Sequence, residues 1–265
     1  MPHVTHRATP IAAIARRLLL MTAAAGMLMT AAQGHASSIT LHEVHTLQGT
    51  GPAATPTATP TVWTAEVLTT VKARTAPRRD ARVRTVLRSQ TPYSVLPARF
   101  LATAATRDDT GRAWVRVQIA ERPNMSSAWI PASAVLLEPT DLRIVIHLGS
   151  HRLEVWRGTH RVSAYSVGIG RAATPTPTGT FAVEDTVVAL QADRGTYGRF
   201  ILTLTAHSDV LKSFNGGDGQ IAIHGSGSAG RLGRASSYGC IIVGDAALAT
   251  LFRIIRVGTP VIVTP

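Results

Sequence analysis

Apolar and polar positions divide the chain into stretches of different character. Between residues 63 and 139, short β-type runs at 66–71, 83–87, 93–96, 113–119 and 128–130 are separated by turn formers such as Asp108-Asp109-Thr110-Gly111. In Ala113-Trp114-Val115-Arg116-Val117 the alternation sends Trp114 and Arg116 to one face and Val115 and Val117 to the other. This pattern predicts a small all-β module. From Asp141 onward the strands lengthen: 142–147, 152–156 and 161–167, turned at Gly149-Ser150 and Arg157-Gly158, then 183–190, 200–205, 221–224 and 260–263. One segment has a helical period, with Leu248, Leu251, Phe252 and Ile255 on one face, Asp245 as cap and Gly258 as stop. The expected fold is therefore mainly β, with one packed helix in the second module.

The first 62 residues fit neither module. Arg7, Arg16 and Arg17 precede an apolar run from residue 18 to about 32, and Gly34-His35-Ala36 then offers a small-x-Ala cleavage site. That is the pattern of a signal peptide over residues 1–36; the run is shorter than the roughly 20 apolar residues that span a bilayer. Residues 37–62 include GTGPAATPTATPT, a composition that buries no core and reads as a linker. The expected boundaries are thus 1–36, 37–62, 63–139 and 141–265, in a protein exported to the periplasm or cell envelope.

Charge sharpens this. The chain carries 27 Lys and Arg against 15 Asp and Glu. Cleavage after Ala36 leaves 24 basic residues against 15 acidic ones, a net charge of +9. Lys72 and Lys212 are its two lysines, so the charge is mostly guanidinium, suited to phosphate and carboxylate partners. Export makes anionic cell-wall polymers the fitting partners. Nucleic acid is not expected, for no motif of that kind is present.

The chain has a single cysteine, Cys240, so it forms no intramolecular disulfide. His224, in Ile221-Ala222-Ile223-His224-Gly225-Ser226, precedes it across a Gly/Ser-rich stretch that runs into Leu232-Gly233-Arg234-Ala235-Ser236-Ser237-Tyr238-Gly239-Cys240. A histidine close in space takes a thiol proton and balances the thiolate. The small residues before Cys240 let the backbone aim the amides of Tyr238, Gly239 and Cys240 at one point, a candidate oxyanion hole. Within the second module His147, His151, His160 and His207 are scattered without metal-ligand spacing. No metal or cofactor is expected.

These residues resemble the L,D-transpeptidase catalytic domain, whose hallmark is His-Gly followed by Ser-x-Gly-Cys, here His224-Gly225 and Ser237-Tyr238-Gly239-Cys240. Val167-Gly168-Ile169-Gly170 with Thr174-Pro175-Thr176-Pro177-Thr178-Gly179 and Gly258-Thr259-Pro260-Val261 extend the likeness over residues 141–264. Residues 71–74, 113–117 and 128–131 resemble a bacterial SH3-like module. The resemblance implies a β-sandwich-like catalytic domain preceded by a small SH3-like β-barrel. It implies a monomer acting on peptidoglycan tetrapeptide stems, with Cys240 as nucleophile, His224 as base, and Gly225 orienting the histidine ring. Ser226, Arg234, Ser237 and Tyr197 are the expected substrate contacts, and carbapenems the expected inhibitors. Ile242 stands where the family often has Arg or Asn, which implies either another cation, Arg231 or Arg234, or a different stem as substrate. The alternatives are an L,D-carboxypeptidase using the same cysteine and a non-catalytic wall-binding protein.

Overall fold

The computed structural model describes residues 62–226 and 229–265, so the expected signal peptide and nearly all of the expected linker lie outside the described residues. The protein is mainly β. Seven strands make the first sheet: β1 (Val62–Val67), β2 (Val71–Arg74), β3 (Val83–Leu87), β4 (Arg99–Arg107), β5 (Ala113–Gln118), β6 (Ser127–Pro131) and β7 (Val135–Thr140), in the order β3-β2-β6-β5-β4-β1-β7. Its core is Trp63, Ala65, Val67, Ala73, Leu87, Ala102, Val115, Val117, Ile119, Ala128 and Ile130. Trp114, on the other side of β5, is also buried and donates its indole N–H to Asp108 Oδ2 at 2.8 Å. It is therefore a packing residue, while half-buried Trp129 lies under the Arg116 guanidinium at 5.8 Å.

Two expectations fail in this sheet. Residues 66–71 are not one strand: the chain turns after Val67, with Leu68 exposed and its N–H donated to Ala134 O, and restarts at Val71. Residues 93–96 are no strand at all. The N–H groups of Tyr93 and Ser94 go to Asp185 Oδ2 at 2.8 and 2.9 Å, so a buried carboxylate in the second sheet takes the donors that a ladder would need.

The second sheet follows from β8 (Leu142–His147), β9 (Arg152–Arg157), β10 (His160–Ser166), β12 (Gly179–Val188), β13 (Phe200–His207), β14 (Gln220–His224), β16 (Ile241–Ile242) and β17 (Pro260–Thr264). Its order is β10-β9-β8-β17-β12-β13-β14-β16. β11 (Ile169–Gly170) and β15 (Ala235–Ser237) form a separate parallel pair. The long strand β12 pairs with β17 over its first four residues and with β13 over the rest, with a bulge between Val183 and Asp185. It thereby belongs to both halves of the sheet, and a bulge is the usual device for such a change of direction. Inward residues of both halves, among them Ile144, Val155, Phe181, Leu202, Ile223, Ile241 and Val261, share one core.

Two helices complete this part, α1 (Arg194–Tyr197) and α2 (Asp245–Ile254). Leu248 and Leu251 of α2 join the core, as the helical period predicts. Its ends differ from expectation. Gly244 is the N-cap and no side chain caps the helix; Asp245 sits in the first turn, where its charge complements the helix dipole. The helix ends at Ile254, before Gly258, which occupies a later turn at φ 85°.

The two sheets meet through a polar seam. Gln118 donates to Thr180 O at 2.7 Å and accepts from Thr205 Oγ1 at 3.1 Å. Asn124 makes a two-way bond with the backbone of His207, donating at 2.7 Å and accepting at 2.8 Å.

Candidate active site

The parallel pairing of β14 with β16 brings the candidate residues together. Ile223 lies opposite Ile241 and His224 opposite Ile242, so Cys240, one residue before β16, is level with Ala222. Ala222 and His224 point to the same side of β14. The thiol is half-buried against Ala222, Tyr197, Ile201 and Val187.

His224 is buried, and its Nδ1 lies 2.5 Å from Gly225 O. A carbonyl only accepts, so Nδ1 carries the proton and Nε2 keeps its lone pair, the tautomer a base requires. Tyr197 packs edge-on against the imidazole with ring centroids 5.2 Å apart, and its carbonyl accepts the Gly225 N–H at 2.9 Å. Asp245 closes the other side: a Cβ at Gly225 would stand 2.0 Å from Asp245 Oδ1 and 3.2 Å from Gly198 Cα. Only glycine fits after this histidine.

The cysteine loop is held from beneath by the Thr-Pro segment. Thr176 Oγ1 donates to Gly239 O at 2.7 Å and accepts from Gly170 N–H at 2.9 Å, while Thr174 Oγ1 donates to Ser237 O at 3.3 Å. Within the loop, Ser237 Oγ accepts from Gly239 N–H at 3.0 Å and donates to Cys240 O at 2.6 Å. Gly239 has φ 122°, and a side chain there would meet Ile221 Cδ1 at 2.9 Å.

These bonds revise two expectations. The Gly239 amide is committed to Ser237, so it is no free oxyanion donor. Ser237 is buried and serves the loop rather than facing a substrate.

The remaining candidates divide by exposure. Tyr197 is buried beside the imidazole, whereas Tyr238 is 46% exposed. The Arg171 guanidinium covers the Tyr238 ring at 3.9 Å and Phe214 leans on it at 5.0 Å. Arg234 is exposed and contributes its carbonyl to Ile169 N–H. Ser226 is half-buried just past β14. Arg231 donates to Ser236 O at 2.9 Å, and its charge acts on both Cys240 and His224. Ile242 is 1% exposed, packed by its Cβ against Gly168. Arg171, Phe214 and the thiol-side role of Thr176 lie outside the expected set. The Thr-Pro repeat was the signal for Thr176; nothing in the spacing joins 171, 214 and 238.

Burial governs the protonation of the pair. It drives His224 down from 6.5 to about 4, Arg231 pushing the same way and the Gly225 bond opposing. Burial also raises the Cys240 thiol, against the Ala222 amide and Arg231, which favour the thiolate. At neutral pH the substrate-free site is therefore thiol beside neutral imidazole. Such a site can form a thiolate by proton transfer to Nε2 as a reaction begins. Among the described residues no cluster of His, Cys, Asp and Glu is arranged to hold a metal.

A thiol and an oriented imidazole on adjacent strands are the groups that a cysteine-dependent site requires. Residues 141–263 match the family model of the YkuD L,D-transpeptidase catalytic domain. The YkuD protein of Bacillus licheniformis is 24% identical over 180 residues, covering 65% of this chain and 98% of its own length. Among solved structures, a Bdellovibrio bacteriovorus protein, Bd1075, is 20% identical with a TM-score of 0.39 over 47% of this chain. The match spans about half of that protein, 48%. The catalytic domain of an Enterococcus faecium L,D-transpeptidase acylated by ertapenem is 22% identical with a TM-score of 0.35, over 47% of this chain and 98% of that one.

Proposed function

We propose that the protein is an exported L,D-transpeptidase that forms 3→3 peptidoglycan cross-links through Cys240. The observation that carries this reading is the His224 tautomer: Nδ1–H is tied to Gly225 O, one strand away from the thiol, inside the family-matched domain. Cys240 Sγ attacks the carbonyl carbon of the third stem residue while His224 Nε2 takes the thiol proton. That proton passes to the amine of the departing D-alanine, leaving a thioester. The side-chain amine of a second stem then attacks the thioester, loses a proton to His224, and releases the cysteine as a thiol. The amides of Tyr238 and Cys240 stabilise the oxyanion in both steps.

Ile242 fits this reading. It is a core residue here, so its apolar character is no sign of a degenerate site, and Arg231 supplies the nearby positive charge. The first sheet is read as an SH3-like module that holds the enzyme on anionic wall polymers, and residues 1–36 as the export signal. Intact-protein mass spectrometry with ertapenem tests the assignment. A single adduct on the wild type and none on Cys240→Ala is expected; an unmodified wild type, or an adduct that survives the substitution, contradicts it.

A further inference from the structure

Residues 208–219 leave β13 and return into β14 as a loop fixed at both ends. At its tip Phe214 and Gly217 exchange backbone bonds of 3.0 and 2.9 Å, with Asn215 at φ 48° and Gly216 at φ 80°, the positive dihedrals of a tight hairpin turn. The tip touches both aromatic neighbours of the catalytic pair. Phe214 packs at a tilt on Tyr238, two residues before Cys240, and Asn215 lies close enough to favour the Tyr197 phenolate, whose ring edges onto His224.

The base of this loop is held from the other sheet. Arg122, between β5 and β6, places Nη2 3.2 Å from Ser208 O, 3.0 Å from Leu211 O and 2.6 Å from Asp218 O, on both arms of the loop. Asn124 adds a bond to Asp209 Oδ1 at 3.0 Å. At Gly219 a Cβ would lie 2.2 Å from Leu211 O and 3.1 Å from Arg122 Nη2, so the arms close tightly around the guanidinium. Charge-assisted bonds to several carbonyls fix a backbone more firmly than neutral ones. The contacts thus run unbroken from the first sheet through Arg122 and the loop to the two tyrosines beside the thiol.

We propose that Arg122 is a positioning residue: through it the first sheet holds loop 208–219 as a wall of the cleft, limiting access to Cys240 and aligning the acyl donor. This rests on the reading of the cleft as an L,D-transpeptidase site. The loop wall admits an extended peptide stem while Phe214 and Tyr238 present an apolar flank to it.

The test uses the full-length protein and three readouts: alkylation of Cys240 by iodoacetamide, acylation by ertapenem, and thermal midpoint. Arg122→Ala frees the loop, so alkylation accelerates and acylation slows, each by about fivefold. Arg122→Lys restores part of both. Phe214→Ala has the same two effects, and the double variant Arg122→Ala/Phe214→Ala adds nothing further, because one contact path is cut twice. A merely structural Arg122 lowers the thermal midpoint with additive or absent effects on alkylation, and that outcome overturns the proposal. If Arg122→Ala does not fold, Arg122→Lys against Phe214→Ala gives the same comparison, and unchanged alkylation in both overturns it. Absence of any ertapenem adduct on the wild type, with alkylation responding as stated, refutes the transpeptidase reading and supports the loop wall.

Discussion

The seam between the sheets and the cleft at Cys240 are both built on β13 and β14, and each gives its buried histidine a different partner. At the seam most groups find partners, although His207 Nδ1 and Arg122 Nε do not. His207 Nε2 meets Asp218 Oδ2 at 3.0 Å, Asn124 satisfies the His207 backbone, and Gln118 bonds on both sides. In the cleft, His224 has a carbonyl on Nδ1 and the Tyr197 ring edge-on beside it, and burial holds it neutral. A ring bonded to a carboxylate fixes a geometry; a neutral ring whose one bond is to a carbonyl keeps a proton that can move. The difference explains how two buried histidines on neighbouring strands serve such different ends.

Substituting the two sides separately gives the largest contrast. His224→Ala removes the base and lowers turnover by about 10²–10⁴-fold with modest change in stability. Gln118→Ala leaves buried partners unsatisfied and costs about 1–3 kcal/mol of stability while turnover stays within a few-fold. Steady-state kinetics and denaturant titration of both variants check this, and a reversed pattern breaks the comparison.

A second substitution probes the cation question. Ile242→Arg forces an unpaired charge into the core next to β14 and destabilises by about 3–5 kcal/mol, rather than restoring a substrate contact. A folded variant with raised activity would show instead that position 242 faces the substrate.

The smallest effect is in pH. Glu184, at the seam, is raised from 4.5 to about 7, first by burial and then by Asp185, against its bond from Gln220. Its folded value is raised, so its contribution is complete below 4.5 and is lost as pH rises through about 7. His224 is depressed to about 4 from 6.5, so its contribution is present above 6.5 and is lost as pH falls through about 4. Seam and cleft therefore weaken at opposite ends of the pH range. Glu184→Gln removes the loss on rising pH, a gain on the order of 1–2 kcal/mol at pH 8 relative to the wild type's own trend. Thermal midpoints from pH 4 to 8 record it.

The same two regions differ in what their sequence disclosed. In the second sheet β8 alternates and β9 and β14 are apolar runs, all three bounded by Gly turns, so they lie where the pattern predicts. In the first sheet, the run at 66–71 hides a turn, and Tyr93 and Ser94 take their partner from Asp185, 92 and 91 residues away in sequence. β4 and β7 escaped notice because their alanines, threonines and a proline carry no strong period. Cys240, His224 and the glycine between His224 and Ser226 were legible as a motif. The wall formed by Arg171, Tyr238 and Phe214, and its anchor Arg122, were not, because only the folded chain brings those positions together. Expectation also erred where backbone geometry decides: the Gly239 amide was assigned to an oxyanion, yet Ser237 Oγ holds it.

Product analysis by mass spectrometry of disaccharide-tetrapeptide incubated with the wild type and with Cys240→Ala tests the central claim most directly. A cross-linked dimer lacking one D-alanine, formed by the wild type and absent with Cys240→Ala, is the predicted result. Trimmed monomer without dimer would replace transfer with L,D-carboxypeptidase action, and dimer formed by Cys240→Ala would contradict the account outright.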